Sequence, residues 1–187
     1  MKRSLQIGII AIVAMYVCLT GCATHITKPT SDPVPSKVKF GTFTNVEMKA
    51  VKANEKLALS SANQRAIRKI DELLFRDMKY SFNGLKRIDE DEDFSKNSES
   101  TLQITPTVKE VKFVSKGSRI MWGAMSGSSA ILMQVSYRDG SSGKIIAEPE
   151  FYRSSDAWTG GMSMGSADNM MLEYIVKDIV NYSSGNR

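Results

Sequence analysis

The stretch 130-AILMQVSYRDGSSGKIIAEPEFYR-153 carries the clearest fold signal in this sequence of 187 residues. Side chains alternate between two faces over Ala130 to Arg138, which predicts a strand; one face consists of Ile131, Met133, Val135 and Tyr137. The run DGSSG that follows predicts a hairpin turn into a further strand, Lys144 to Arg153. Because Pro149 has no N–H to donate, this further strand is predicted to lie at a sheet edge or to carry a bulge.

Three more strands are predicted before this hairpin. They are Val38 to Phe43, with Val38 and Phe40 on one face, Tyr80 to Ile88 with an interruption at Asn83-Gly84, and Thr101 to Val114. In the last of them the apolar residues change parity after Val108. A bulge or break between Pro106 and Glu110 would explain that change.

Two helices complete the predicted domain. The first runs from about Ala53 to Met78, and its apolar stripe is Leu59, Ala62, Ala66, Ile70 and Leu73. The second closes the chain after a small-residue loop, Thr159 to Ser166, and its stripe is Leu172, Ile175, Val176, Ile179 and Val180. We therefore expect one compact α+β domain of order β-α-β-β-β-β-α, in which two helices pack on a mostly antiparallel sheet of about four to five strands.

The N-terminus has the pattern of a secretory signal. Lys2 and Arg3 precede an apolar run, Leu5 to Leu19, whose roughly 15 residues fall short of the roughly 20 that span a bilayer. The residues Leu19-Thr20-Gly21-Cys22 that follow resemble the bacterial lipobox. The resemblance implies cleavage between Gly21 and Cys22 and acylation of the Cys22 thiol, which anchors the protein to a membrane. An ordinary secretory signal with a chance cysteine, or a short membrane anchor, are the alternatives.

Three regions follow from this interpretation: a lipoprotein signal peptide at 1–21, a lipidated cysteine with a flexible tether at 22–36, and an α+β envelope domain at 37–187. The tether is rich in proline, serine and threonine. Ala23 stands where an aspartate commonly favours retention in the inner membrane of Gram-negative lipoproteins. The expected location is therefore the outer membrane, facing the periplasm.

Charge and composition exclude several function classes. Loss of Lys2 and Arg3 with the signal lowers the net charge from +5 to +3, which is too small an excess to favour a nucleic-acid partner. The sole histidine, His25, lies in the tether, so the domain has no imidazole base for nucleophilic catalysis. The acidic run 89–93 lacks the glycine and glutamate of a calcium loop, since Phe94 and Ser100 stand there instead. We expect no catalytic residues, metal site or cofactor.

Two small-residue segments contain the candidate partner contacts. Arg119 and Trp122 lie within the first, Ser115 to Ser129, and Trp158 directly precedes the second, Thr159 to Ser166. We call these stretches, together with their tryptophans, the contact segments. Tryptophan and arginine are enriched in interface hot spots, which makes these three residues candidates for contacting a protein partner. Packing of both tryptophans against the core is the alternative.

The chain also resembles a family of bacterial lipoproteins, the domain-of-unknown-function family 4410. The residues that carry the resemblance follow the lipobox in order: Phe40-Gly41-Thr42-Phe43, Ser118-Arg119, Gly123 and Gly127, Arg138-Asp139, Gly143-Lys144 and Gly160-Gly161. The glycine segment departs from a tight Gly-x-Gly-x-Gly. The resemblance implies an α/β envelope domain with no established activity.

The sequence thus favours a lipid-anchored, non-enzymatic envelope protein that interacts with a protein partner. The alternative is a lipoprotein that binds a small molecule, lipid or glycan beside the Gly/Ser segment. A hydrolase is the third hypothesis.

Overall fold

The computed structural model describes residues 26–95, 100–114, 128–155 and 166–187. Within them the strands are β1 (Asn45–Lys49), β2 (Lys52–Ala53), β3 (Lys86–Ile88), β4 (Thr101–Lys112), β5 (Ser129–Asp139), β6 (Ile145–Ala147) and β7 (Glu150–Ser155). The helices of the same residues are α1 (Glu55–Ala58), α2 (Ser61–Ser81) and α3 (Ser166–Gly185), and Phe40–Thr42 form a 3-10 turn. The domain is α+β, as the sequence predicts.

The sheet is mixed, so the expectation of a mostly antiparallel sheet of four to five strands is wrong. Its order is β3-β1-β4-β5-β6, with β2 beside β4 and β7 beside β5. Strand β1 is parallel to both β3 and β4, whereas β4, β5, β6 and β7 pair in antiparallel fashion. Strands β1 and β3 are parallel because the long helix α2 lies between them and returns the chain to the same end of the sheet.

The predicted hairpin that starts with Ala130 to Arg138 is confirmed, with one refinement at Pro149. The further strand is divided into β6 and β7, and both pair with β5. Pro149 lies at the division, where its carbonyl accepts a hydrogen bond from the Val135 N–H at 3.1 Å. The register of β4 on β5 also shifts between Val108 and Glu110, which is the predicted bulge. The extra residue explains why the apolar parity changes along β4.

The first predicted helix begins too early, and its stripe is displaced. A short α1 is capped by Asn54, whose Oδ1 accepts from the Leu57 N–H at 2.8 Å, and the chain then breaks before α2 starts at Ser61. Leu59 therefore lies between the two helices and is 85% exposed. The buried stripe of α2 recurs every fourth residue: Ala66, Ile70, Leu74 and Met78.

Two predicted strands are also corrected. Val38 to Phe43 is not a strand, because the chain turns at Phe40–Thr42, where the Phe40 N–H donates to the Asn186 carbonyl at 2.7 Å. Over Tyr80 to Ile88, α2 continues to Ser81 and only Lys86–Ile88 form a strand. Gly84, with φ of +74°, supplies the left-handed turn between them.

The helices α2 and α3 pack on one face of the sheet and enclose the main core. The alternating residues of β5 supply its centre, and the predicted stripe of α3 is confirmed, with Leu172, Ile175, Val176 and Ile179 buried and Val180 partly buried. No helix among the described residues is long and apolar enough to span a membrane.

Candidate functional site

Residues 26–36, which we call the strap, lie against the folded domain, and two hydrogen bonds hold their C-terminal end. The Ser36 N–H donates to Asn186 Oδ1 at 2.7 Å, and the Tyr182 hydroxyl donates to the Val34 carbonyl at 2.9 Å. These two bonds attach the C-terminal end of the strap to the last turn of α3 and the residue after it. The structure describes the predicted tether only from residue 26 onward.

The other end of the strap is anchored by one apolar side chain. Ile26 is 4% exposed and packs with Ala130, Leu132 and Tyr152, a cluster that we call the Ile26 patch. These three partners belong to the sheet face opposite the helices, since Ile131 and Met133 between them point into the main core. The strap therefore joins the helix layer to the outer face of the sheet.

The outer face is polar over most of its described area. Side chains that are paired directly across β4 and β5 point to the same side, and on the outer side these pairs are Gln103 with Arg138, Thr105 with Ser136 and Thr107 with Gln134. At the bulge the Lys109 ammonium donates to Gln134 Oε1 at 3.3 Å. Among the described residues, α2 and α3 cover only the opposite face.

A groove of about 420 Å³ separates the strap from β7 and α3. Lys28 and Asp32 line it from the strap, and Arg153, Asp178 and Tyr182 line it from the domain. The Arg153 guanidinium donates two hydrogen bonds to the Asp178 carboxylate, at 2.5 Å and 2.6 Å, and these bonds raise the pKa of Arg153. The groove thus contains both positively and negatively charged side chains, and the guanidinium of Arg153 is already paired with Asp178.

Two buried polar side chains of the described domain, Tyr137 and Glu47, have partners that serve the fold. The Tyr137 hydroxyl lies 2.7 Å from Ser183 Oγ, and burial raises the pKa of this phenol above its usual value, which keeps it protonated. The Glu47 carboxylate accepts from the backbone N–H of Ser95 at 3.1 Å and from its hydroxyl, which holds the end of the acidic segment against β1. These arrangements position backbone and core.

Clusters of side chains that could hold a metal ion are absent from the part of the chain that the structure describes. No group of three or more His, Cys, Asp or Glu side chains there could hold a metal ion. The acidic side chains of the run 89–93 are exposed to solvent.

The site residues that the sequence predicts lie outside the described residues. This applies to Gly21 and Cys22 at the cleavage site and to the contact candidates Arg119, Trp122 and Trp158. The residues that flank the two contact segments, however, come together.

The ends of both contact segments meet at one end of the sheet. The Val114 N–H, just before the first segment, donates to Ser129 Oγ at 2.9 Å, and Ser129 pairs with Ser155, just before the second. The Ser155 hydroxyl in turn donates to Asp168 Oδ1 at 3.3 Å, at the start of α3. Any surface built by the two segments therefore starts from this end.

Sequence reasoning missed the residues that dock the strap, namely Ile26, Val34, Ser36 and Asn186. One signal was available, because Ile26 is a large aliphatic side chain in an otherwise polar and proline-rich segment. The hydrogen bonds of Ser36 and Asn186 had no such signal, since the two residues are 150 positions apart.

Comparison with known proteins gives similar folds and no family assignment. No protein-family model matches this chain, and no curated protein matches it, so the resemblance to family 4410 is not confirmed. A solved PelC dodecamer from Paraburkholderia phytofirmans is 11% identical, with a TM-score of 0.49 over 82% of this chain and 94% of that one.

Two further solved structures are similar at comparable distance. Protein XCC0632 from Xanthomonas campestris, of domain-of-unknown-function family 330, is 9% identical, with a TM-score of 0.46 over 87% of this chain and 96% of that one. A candidate lipoprotein from Caulobacter crescentus is 12% identical, with a TM-score of 0.34 over 78% of this chain and 96% of that one.

Proposed function

We propose that this chain is a lipid-anchored, non-enzymatic protein of the bacterial cell envelope that binds a protein partner in the periplasm. The observation that carries the proposal is the lipobox Leu19-Thr20-Gly21-Cys22 behind a short apolar run. Acyl chains on Cys22 would give stable anchoring, since each buried methylene contributes about 0.8 kcal/mol. Ala23 favours the outer membrane.

The placement of the contact segments supports a binding role. Arg119, Trp122 and Trp158 are far apart in sequence, yet the segments that contain them leave the sheet beside one another, at Ser129 and Ser155. Hot-spot residues tend to cluster near the centre of an interface. A surface with contributions from both segments would meet that condition.

The arrangement of charged groups supports a non-enzymatic role. The ion pairs Arg153–Asp178 and Lys69–Glu173 link β7 and α2 to α3, which is a structural task. The folded domain has no histidine that could act as a general base.

Anchoring is tested by substitution of Cys22. We expect Cys22→Ala to abolish labelling with a fatty-acid analogue and to leave a precursor-sized protein. Cys18→Ala is the matched control, because Cys18 lies in the signal and is removed with it; this variant should be labelled and processed normally. Normal processing of Cys22→Ala would contradict the anchor.

The protein partner is tested by photocrosslinking in intact envelopes. A crosslinking amino acid at position 122 or 158 should give one stoichiometric adduct. The matched control is position 80 on α2, where Tyr80 is 83% exposed and belongs to neither contact segment. An entirely monomeric pattern from positions 122 and 158, or the same adduct from position 80, would contradict the proposal.

A second candidate function is the binding of a small molecule, lipid or glycan. The groove between the strap, β7 and α3 favours it, because its volume of about 420 Å³ falls in the range of ligand pockets. A ligand that binds only the folded state would raise the melting temperature in envelope extract. Asn181→Ala, at the groove, should remove the shift, and an unchanged melting temperature of the unmodified protein would contradict this candidate.

A further inference from the structure

The strap fixes the chain on the outer face of the sheet shortly after the proposed anchor. Ile26 is 4% exposed, and its partners Ala130 and Leu132 are 5% and 8% exposed. Removing Ile26 from this contact would expose apolar area on both sides. The side chain therefore acts as the point at which the chain joins the domain.

The distance from Cys22 to this point is limited by chain length alone. Ile26 is the fourth residue after Cys22, and four residue steps span at most about 14 Å. A free tether of the predicted length would reach about 46 Å. With Ile26 docked, an acylated Cys22 keeps the Ile26 patch within about 14 Å of the lipid headgroups.

The charges around the Ile26 patch fit an anionic surface. Across β4 and β5, Lys112 pairs with Ala130 and Glu110 with Leu132, so both side chains share the outer face with the patch. Lys109 at the bulge reaches the same face, and the exposed Lys28 lies two residues beyond Ile26. Lys52 and Glu150 face the same side, since they pair with Thr107 and Gln134, and Asp32 lines the groove beside Lys28. Four lysines therefore stand against three carboxylates, and this small positive excess favours the anionic headgroups of a phospholipid bilayer.

We propose that the outer face of the sheet around the Ile26 patch rests on an anionic phospholipid surface, with α2 and α3 directed away from it. This inference rests on the proposed lipid anchor at Cys22. The partner of the outer face is then the membrane surface itself. If a protein covers that face instead, a probe on it should be quenched by lipid no more than a probe on α2.

The test places one probe on each face of the acylated, mature protein in vesicles of phosphatidylethanolamine and phosphatidylglycerol. Ser154→Cys puts a fluorophore on the outer face, since Ser154 is exposed and pairs with Ala130. Glu72→Cys puts it on the exposed side of α2. Acylated Cys22 has no free thiol, so each variant has a single labelling site.

Quenching by headgroup-labelled lipid should be at least about twofold greater at position 154 than at position 72. A sheet and a helix layer together are about 20 Å thick, which separates the two probes by more than the reach of a contact quencher. Equal quenching, or stronger quenching at position 72, in fully acylated protein would overturn the orientation and leave the anchor intact.

Two variants test the role of the strap. Ile26→Asp should abolish the difference between the probes, whereas Thr27→Asp, at the exposed neighbour, should preserve it. Insertion of a glycine-serine segment between His25 and Ile26 leaves the patch intact and should also reduce quenching at position 154. An undiminished difference in both the Ile26→Asp and the insertion variants would overturn the inference.

The charge argument and the anchor are checked separately. Lys109→Gln with Lys112→Gln should lower quenching at position 154 on anionic vesicles and leave it unchanged on phosphatidylcholine, whereas Lys56→Gln on α1 should change neither. Equal effects of the two substitutions would overturn the charge argument. An intact mass without acyl chains at Cys22 would overturn both the anchor and the orientation.

Discussion

The ring of Phe40 stacks on that of Tyr137, with centroids 4.6 Å apart and planes inclined by 19°, and neither side chain has exposed area. This contact joins the turn after the strap to the centre of β5. Tyr182 on α3 lies 5.7 Å from Tyr137 and donates to the strap. The three rings link strap, sheet and helix in one aromatic cluster, which makes the position of the strap sensitive to the core.

Removal of the Tyr137 hydroxyl should cost about 1 kcal/mol of unfolding free energy. Ser183 donates its own proton to the Ile179 carbonyl at 2.8 Å, so Tyr137 must donate to Ser183 Oγ. Tyr137→Phe keeps the ring stack and loses only this bond, whereas Tyr137→Ala should cost about 3–5 kcal/mol. Urea unfolding measures the loss of unfolding free energy in each variant. Equal losses would contradict the prediction that the ring contributes more than the hydroxyl hydrogen bond.

Leu59 and Ile70 provide a test of where the first long helix begins. Leu59→Ser should change the unfolding free energy by less than about 0.5 kcal/mol, because the side chain is 85% exposed. Ile70→Ala should cost about 2–5 kcal/mol, because Ile70 has no exposed area and faces the core. Chemical denaturation measures both, and a large loss for Leu59→Ser would favour the longer helix that the sequence predicts.

Leu59 also shows which parts of the fold could be predicted from the sequence. Period-two alternation in β5 and apolar spacing in α3 are local patterns, and both gave the correct element. At the break before Ser61, the side-chain amides of Asn63 and Gln64 donate to the carbonyls of Leu57 and Ala58, and the apolar spacing around Leu59 gives no sign of these bonds. Parallel pairing of β1 with β4 is a contact between distant segments, and no local pattern in the sequence encodes it.

The candidate site was predictable only in part for the same reason. Ile26 could have been noticed as an isolated aliphatic residue, but its partners Ala130 and Leu132 lie more than a hundred residues away. The hydrogen bond from Ser36 to Asn186 depends on the whole domain to bring strap and helix end together.

Asn186→Ala should loosen the strap without disturbing the core. The substitution removes the acceptor of the Ser36 N–H and the donor to the Tyr182 carbonyl, at 2.8 Å, and should cost about 1–2 kcal/mol. Hydrogen exchange at the Ser36 amide should accelerate, while amides in β5 remain protected. Lys177→Ala, at an exposed position on the same helix away from the groove, is the control; similar acceleration there would contradict a specific role for Asn186.

The hairpin turn should lose stability in acid through Asp139. Hydrogen bonds from the hydroxyls of Ser141 and Ser142 and from the Ser141 N–H lower the pKa of Asp139 from 3.8 to about 2. A pKa that is lower in the folded state favours folding above the ordinary value of 3.8, and this contribution disappears as the pH falls towards about 2. Asp139→Asn should therefore be less stable than the unmodified protein near neutral pH, and the difference should close in acid.

Ser141→Ala gives an independent measurement on the same turn. It removes the donor with the largest effect, so the pKa of Asp139 should rise towards 3.8 in an NMR titration of the carboxyl carbon. The loss of stability in acid should therefore be smaller in this variant, and it should end at a higher pH than in the unmodified protein. An unchanged Asp139 titration in Ser141→Ala would show that the hydroxyl does not stabilise the carboxylate.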